Sequence, residues 1–130
     1  MPIHQPSRLL IVDDNKVNRI MLSRAVENLG HSIDTAENGL KALEKLRSGS
    51  FDLVLLDIEM PELDGYQTTL KIRHELQLNT PIIAMTAHSI VGEKDKCLAV
   101  GMNDFISKPV SFEKLRERIR HGLGVISTRI

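Results

Sequence analysis

Short apolar runs alternate along the chain with segments whose apolar residues recur at helical spacing. This alternation predicts a parallel sheet covered by helices on both faces. The predicted strands are Arg8 to Val12, Ser32 to Ala36, Asp52 to Leu56, Pro81 to Met85 and Asp104 to Ser107. The predicted helices are Val17 to Leu29, Leu40 to Leu46, Tyr66 to Leu76, a segment within Val91 to Val100, and Phe112 to Gly122.

Five strand-helix units joined by right-handed crossovers form a three-layer α/β sandwich. For five strands the commonest order is 2-1-3-4-5, the flavodoxin-like arrangement, and we predict it here. The third strand is an aliphatic run after its first residue, as expected of a central strand buried on both faces. In the first helix, the apolar side chains that predict its buried face are Ile20, Leu22, Ala25, Val26 and Leu29.

Composition narrows the class of protein. Lys and Arg together number 17, as do Asp and Glu. A net charge of +0 gives no long-range field that would attract nucleic acid or an anionic membrane. Because only 3% of the residues are aromatic, a base-stacking surface is disfavoured as well. We therefore expect no direct nucleic-acid binding.

Length and cysteine content indicate one cytoplasmic domain. A chain of 130 residues fits a single core, and we assign 8–122 to this domain, 1–7 to an N-terminal extension and 123–130 to a C-terminal tail. The lone Cys97 favours a reducing compartment and excludes a cysteine-rich metal site. The apolar runs are too short to cross a membrane, so we expect no membrane insertion.

Charged and hydroxyl side chains follow four of the predicted strands. Asp13 and Asp14 follow the first strand, Asp57 the third, Thr86 the fourth and Lys108 the fifth. Because the carboxyl ends of parallel strands share one edge, we expect these side chains to meet there. Taken singly, each has an ordinary explanation as a turn former, a strand end or an exposed lysine. Clustered carboxylates, however, repel by roughly 4 kcal/mol per pair at about 4 Å unless a cation joins them.

A hard divalent ion suits this cluster. One lysine cannot balance three acids, and oxygen ligands without neighbouring His or Cys select Mg²⁺ or Mn²⁺. The five histidines are widely separated and give no zinc-like spacing. A divalent ion, a hydroxyl and an ammonium beside a carboxylate are the parts that phosphoryl transfer requires. Asp57, on the central strand, is the best-placed nucleophile, which makes Asp13 and Asp14 metal-holding residues.

Four sequence blocks resemble the signature motifs of receiver domains from two-component response regulators. They are Val12-Asp13-Asp14-Asn15, the segment Leu56 to Gly65, Met85-Thr86-Ala87 and Ile106-Ser107-Lys108-Pro109. The blocks stand in the family's order and spacing, and the resemblance covers residues 8–122. Asn18-Arg19 and the segment Ala84 to Asp104 further resemble receivers of hybrid sensor kinases and phosphorelays.

The resemblance implies how the acids and the lysine act. Asp57 would accept a phosphoryl group from a phosphohistidine. Asp14, Asp57 and the backbone carbonyl of Glu59 would bind Mg²⁺ directly, and Asp13 would act largely through water. Lys108 would pair with Asp57 and then with the phosphoryl group, oriented by a cis peptide to the proline that follows it.

The resemblance also implies a switch. The hydroxyl of Thr86 would move to the phosphoryl group, and the ring of Phe105 would fill the vacated space. The surface formed by the fourth helix, the fifth strand and the fifth helix would be remodelled in response. Glu59 and His88 occupy positions that vary within the family and modulate how long the phosphoryl group persists. The direction of their effect stays open, and so does an interpretation of both as exposed loop residues.

The implied partner is a histidine kinase or a histidine phosphotransfer domain, and a dimer that forms on phosphorylation is a further expectation. We expect self-catalysed chemistry confined to Asp57 and no turnover of a separate substrate. A Mg²⁺-dependent phosphohydrolase with an aspartyl-phosphate intermediate is the main competing hypothesis. Such enzymes typically carry a second Asp where Glu59 stands, and a cap domain encloses their substrate.

A flavin- or nucleotide-binding module on the same fold fits the residues less well. It would need a loop whose amides cradle phosphate, whereas acids follow the first strand here. A degenerate receiver that serves only as a docking surface disagrees with the intact Asp57, Thr86 and Lys108.

Overall fold

Five strands alternate with five helices in the computed structural model, which describes residues 7–87 and 92–124. The strands are β1 (Arg8–Val12), β2 (Ser32–Ala36), β3 (Leu53–Asp57), β4 (Ile82–Thr86) and β5 (Asp104–Ser107). The helices are α1 (Lys16–Asn28), α2 (Gly39–Ser48), α3 (Gly65–His74), α4 (Glu93–Ala99) and α5 (Phe112–Gly122). The predicted alternation of strands and helices is confirmed.

The strands form one parallel sheet in the order β2-β1-β3-β4-β5. The predicted flavodoxin-like sandwich is therefore confirmed. β1 and β3 are neighbours in the sheet although β2 lies between them in the sequence, so the direction of strand addition reverses there. Ligands of open parallel sheets bind beyond the carboxyl ends of the strands at such a point.

Several predicted element ends were wrong by one or two residues. β3 and β4 each begin and end one residue later than predicted. At the start of β3, the carboxylate of Asp52 accepts a hydrogen bond from the backbone N–H of Arg8, with an N–O distance of 2.8 Å. α2 and α3 begin one residue earlier, at glycines that directly follow the capping residues Asn38 and Asp64. Apolar periodicity shows which helix face is buried, whereas the cap decides where the helix begins.

The core lies on both faces of the sheet because successive strand residues point to opposite sides. In β1, Leu10 and Val12 belong to the apolar cluster that includes α2 and α3 residues. Leu9 and Ile11 belong to the opposite cluster, which includes α1 and α5 residues. All five residues of β3 are buried, as expected of a central strand.

The predicted buried face of α1 was wrong at one residue, Ile20. Leu22 and Val26 are buried, but Ile20 is 44% exposed. Residues two positions apart on an α-helix lie about 200° apart around its axis, so Ile20 points away from the face that Leu22 buries. Val17 and Met21 are exposed too, so α1 carries a stripe of three exposed apolar residues among its polar ones. Within residues 7–87 and 92–124, no helix has the length and hydrophobicity that a membrane span requires.

Candidate functional site

The residues predicted to carry the chemistry lie at the carboxyl ends of four neighbouring strands. Asp57 ends β3 and Thr86 ends β4, while Asp13 follows β1 and Lys108 follows β5 directly. The β3–β4 register sets Asp57 opposite Met85, so Thr86 stands one residue beyond the partner of Asp57. Strand register thus brings four separate sequence blocks to one edge of the sheet.

Three carboxylates form what we call the acid cluster: Asp13, Asp14 and Asp57. One oxygen from each lies within 4.8 Å of the others. Asp13 and Asp57 are buried, whereas Asp14 is exposed to solvent. Because like charges at this spacing repel one another, the cluster favours binding of a cation.

The carboxylate of Asp13 supplies a direct test of whether a cation fits. Its Oδ1 atom accepts a hydrogen bond from the Asn15 backbone N–H at 2.9 Å. Its Oδ2 atom is buried and has no hydrogen-bond partner among residues 7–87 and 92–124. A buried, unpaired anionic oxygen is costly in a protein interior, and a metal ion would relieve that cost. Since the donor set is all oxygen, the residues fit a hard divalent cation such as Mg²⁺.

The loop that holds Asp13 and Asp14 is fixed by two further contacts. The side chain of Asn15 caps α1 by accepting a hydrogen bond from the Asn18 N–H at 3.0 Å. From the first turns of α1, Nη1 of Arg19 donates to the carbonyl oxygen of Asp13 at 2.7 Å. Sequence reasoning noted Arg19 only as part of a resemblance and missed this contact, because no periodic signal marks a side chain that reaches back to a loop.

Asp57 and Lys108 form an ion pair inside the site, with 3.0 Å between Lys108 Nζ and Asp57 Oδ1. The same Oδ1 atom accepts a hydrogen bond from the Glu59 backbone N–H at 3.1 Å. The backbone N–H of Lys108 donates to the carbonyl of Thr86 at 2.7 Å, and the peptide bond between Lys108 and Pro109 is cis. The implied cis peptide is thus present.

Burial decides the protonation chemistry of this pair. Burial raises the pKa of Asp57 to about 6, and the charge of Asp13 acts in the same direction, while Lys108 opposes the rise. Burial alone would lower the pKa of Lys108, but its hydrogen bond to Asp57 and the nearby carboxylates raise that pKa above its ordinary value. Lys108 therefore stays cationic, and Asp57 is an acid whose ionised form a divalent cation would stabilise.

Gly65 allows the loop after β3 to turn close beneath Asp57. A Cβ atom at Gly65 would lie 2.7 Å from the carbonyl oxygen of Asp57 and 2.7 Å from Cα of Ile58. The Gly65 N–H donates to the carbonyl of Ile58 at 3.0 Å. Asp64 then caps α3 in a capping box with Gln67. This packing fixes the backbone that carries Glu59.

The predicted switch and modulating residues lie in different surroundings. Thr86 is fully buried and its hydroxyl donates to Oε2 of Glu59 at 2.8 Å. The Ala87 backbone N–H donates to Oε1 of the same carboxylate at 3.2 Å. Phe105 is partly buried against the apolar cluster on the α2 and α3 side. His88 lies outside the described residues, so its modulating role stays a prediction.

Comparison with known proteins places these features in one family. The model of the response regulator receiver domain matches residues 9–120. The sensor histidine kinase RcsC of Salmonella typhi is 39% identical over 85% of this chain and 12% of its own length. The histidine kinase BarA of Escherichia coli K12 is 35% identical over 98% of this chain and 15% of its own length. The chain therefore spans less than a fifth of these two kinases.

Solved structures agree with the sequence relatives. The receiver domain of sensor histidine kinase PA1611 from Pseudomonas aeruginosa, described with a magnesium ion in its active-site cleft, has a TM-score of 0.83 and 32% identity. The alignment covers 92% of this chain and 99% of that one. The chemotaxis protein CheY4 of Vibrio cholerae has a TM-score of 0.86 and 29% identity, over 92% of this chain and 100% of its own. Family model, relatives and fold agree that this chain belongs to the response regulator receiver domains of two-component and phosphorelay signalling, phosphoacceptor switches rather than classical enzymes.

Proposed function

We propose that Asp57 accepts a phosphoryl group from the phosphohistidine of a histidine kinase or histidine phosphotransfer domain. A carboxylate oxygen of Asp57 forms the new P–O bond while the P–N bond to the histidine breaks, and the imidazole leaves in its neutral form after taking up a proton. The observation that carries this proposal is the placement of Asp57. It is buried within the acid cluster and paired with Lys108 at 3.0 Å.

Asp14, Asp57 and the backbone carbonyl of Glu59 would hold Mg²⁺ or Mn²⁺ directly, and Asp13 would act largely through water. The unpaired, buried Oδ2 atom of Asp13 supports this assignment. The bound ion supplies positive charge to offset the charge on the transferring phosphoryl oxygens. Lys108 contributes a second positive charge, and its contact with Asp57 holds that carboxylate in place.

Thr86 and Phe105 are the proposed switch residues. Thr86 stands one residue beyond the sheet partner of Asp57, so its hydroxyl is placed to move toward a phosphoryl group there. Phe105 lies opposite Ala84 on the neighbouring strand and borders the side of the sheet that α4 covers. A new charge of about −2 on Asp57 would favour the switched positions of the Thr86 hydroxyl and the Phe105 ring. The α4–β5–α5 surface would be remodelled in response. His88 and Glu59 would modulate the lifetime of the phosphorylated state.

We infer that the phosphodonor domain docks on what we call the α1–α5 face, defined by Val17, Ile20, Met21 and Phe112. These large apolar residues are 64%, 44%, 55% and 69% exposed, respectively. A cleft of about 400 Å³ lined by Asp13, Met21, Lys108 and Phe112 links this face to the acid cluster. An exposed apolar patch beside a reactive group is typical of a protein interaction site.

The docking proposal has its own test. Met21→Glu and Phe112→Glu should slow phosphorylation by a phosphorylated histidine phosphotransfer domain at least tenfold. Phosphorylation by acetyl phosphate should be unchanged, because that small donor needs no docking surface. Leu70→Glu, at an apolar residue of α3 that is 40% exposed, is the matched control. Equal slowing by all three variants would refute the docking assignment.

The domain proposed for this chemistry spans residues 8–122, with 1–7 as an extension and 123–130 as a tail. The buried free Cys97 suits a reducing cytoplasm, which is the proposed location. A dimer that forms on phosphorylation is part of the same proposal. We further propose that the domain catalyses only its own phosphorylation and dephosphorylation. The proposal is supported by the family, whose members act as phosphoacceptor switches rather than as classical enzymes.

The main test combines Mg²⁺ with acetyl phosphate or beryllofluoride, a phosphoryl mimic. We expect the amide resonances of α4 and β5 to shift in the wild-type protein. The Asp57→Asn variant should not respond, and intact-mass measurement should show one phosphoryl group on the wild type only. Phosphorylation of the Asn variant, or turnover of p-nitrophenyl phosphate by the wild type, would overturn the assignment.

A further inference from the structure

Both oxygens of the Glu59 carboxylate accept hydrogen bonds from the end of β4. Oε2 accepts from the hydroxyl of Thr86 at 2.8 Å, and Oε1 accepts from the backbone N–H of Ala87 at 3.2 Å. Glu59 is thus an anion that sits on two adjacent donors at the carboxyl edge of the sheet. Hydrogen bonds from neutral donors to a charged acceptor are among the stronger ones in proteins.

These donors stand beside the proposed phosphorylation site. Asp57 lies opposite Met85 in the β3–β4 register, and the two donors belong to the next two residues, Thr86 and Ala87. A phosphoryl group on Asp57 would bring a second anion to the same strand end. Two anions cannot share the same two donors, and their charges repel at short range.

We infer that Glu59 is a tethered competitor of the phosphoryl group for the Thr86 hydroxyl and the Ala87 amide, an inference that rests on the proposed phosphorylation of Asp57. In the resting protein the Glu59 carboxylate occupies both donors. When the phosphoryl group forms, it displaces that carboxylate, which moves into solvent. Glu59 is exposed as a residue, so its release breaks these contacts without exposing an apolar core.

These contacts predict whether Glu59 favours or opposes acceptance of the phosphoryl group. Every activation event must break the contacts of Glu59 with Thr86 and Ala87 before the phosphoryl group can use these donors. The carboxylate is also anchored only two residues from Asp57, so it is always present at high local concentration. Glu59 therefore weakens acceptance of the phosphoryl group and sets a threshold for activation.

The test is a titration of the Mg²⁺-loaded full chain with beryllofluoride, followed by amide NMR. Glu59→Ala removes the competitor, and we expect half-saturation at a beryllofluoride concentration about tenfold lower than in the wild type. Glu59→Gln keeps one acceptor oxygen but no charge, so it should give a smaller shift in the same direction. Glu62→Gln is the matched control, because Glu62 is an exposed acid of the same loop.

A second readout reports the contact itself. In the protein without beryllofluoride, Glu59→Ala should move the Ala87 amide proton upfield, because that proton loses its charged acceptor, whereas Glu62→Gln should leave it in place. Equal half-saturation in Glu59→Ala and Glu62→Gln, or an unmoved Ala87 resonance, would overturn the inference while leaving Asp57 as the acceptor. A wild-type protein that binds no beryllofluoride would instead overturn the proposed function, and this inference with it.

Discussion

The Nζ atom of Lys108 lies 3.0 Å from Oδ1 of Asp57, although 51 residues separate the two in the sequence. The contact spans the sheet from the end of β5 to the end of β3, past the intervening β4. Even with this partner, burial and the nearby Asp13 hold the pKa of Asp57 at about 6. The ion pair therefore offsets only part of the cost of an ionised Asp57, and the remainder favours binding of a cation.

Asp57→Asn should stabilise the protein in the absence of divalent ions. The substitution removes a buried carboxylate whose pKa is raised from 3.8 to about 6, and this pKa shift corresponds to about 3 kcal/mol of stability at neutral pH. Urea unfolding at pH 7.5 with a chelator present measures the difference. Asp95→Asn, at an exposed acid of α4, should change stability by less than about 0.5 kcal/mol. A less stable Asp57→Asn variant would contradict the energetic account of the site.

The stability difference between wild type and Asp57→Asn should depend on pH. An acid whose pKa is higher in the folded state destabilises the fold when it is ionised. With pKa values of 3.8 unfolded and about 6 folded, this destabilisation is fully present above the folded pKa and is relieved as the pH falls through it. The two unfolding free energies should therefore converge between about pH 7 and pH 4. A constant difference in unfolding free energy between pH 7 and pH 4 would show that burial does not raise the pKa of Asp57.

Arg19→Met should weaken Mg²⁺ binding several-fold. The guanidinium of Arg19 donates to the carbonyl of Asp13 at 2.7 Å, so its loss frees the loop that carries two residues of the acid cluster. Arg24→Met removes the same charge from an exposed position on α1 and should leave Mg²⁺ affinity within about twofold, because long-range charge is screened. Mg²⁺ titrations by calorimetry measure both. If both variants lost the same amount of Mg²⁺ affinity, the loss would come from the missing positive charge and not from the contact between Arg19 and Asp13.

Gly65→Ala should destabilise the protein by about 1–3 kcal/mol, because the new Cβ would lie 2.7 Å from two backbone atoms of Asp57 and Ile58. Relief of that overlap requires the loop after β3 to shift, so Mg²⁺ affinity should fall as well. Gly49→Ala is the control, since a Cβ there would come no closer than 3.3 Å, to a flexible arginine side chain. Thermal unfolding of both variants tests the difference.

Arg73→Met should cost about 2–4 kcal/mol of stability, because the guanidinium makes four hydrogen bonds that a thioether cannot replace. It donates from α3 to the carbonyls of Gly101, Leu78 and Thr80 and to the side chain of Asn103. Burial lowers the pKa of Arg73, which shows that its charge is partly shielded from water. Arg116→Met on the exposed side of α5 should change little in the same denaturant titration.

Residue pattern alone predicted most of the fold. Alternating apolar runs specified five strand-helix units, and a continuous aliphatic segment identified β3 as a central strand. These predictions succeed because burial on one or both faces of an element imposes a period on the sequence. Element ends were less accurate, since capping side chains such as Asn38 and Asp64 decide where a helix begins.

The sequence by itself determined which chemical groups stand at the strand ends, because each follows an apolar run directly, and the motif blocks assigned those groups to a family. Only the tertiary structure decided that Glu59 reaches Thr86 and Ala87 and that Arg19 reaches the carbonyl of Asp13. Such contacts join side chains to other loops and strands, and their distances depend on sheet register and loop conformation. Neither property has a period that can be read along one chain.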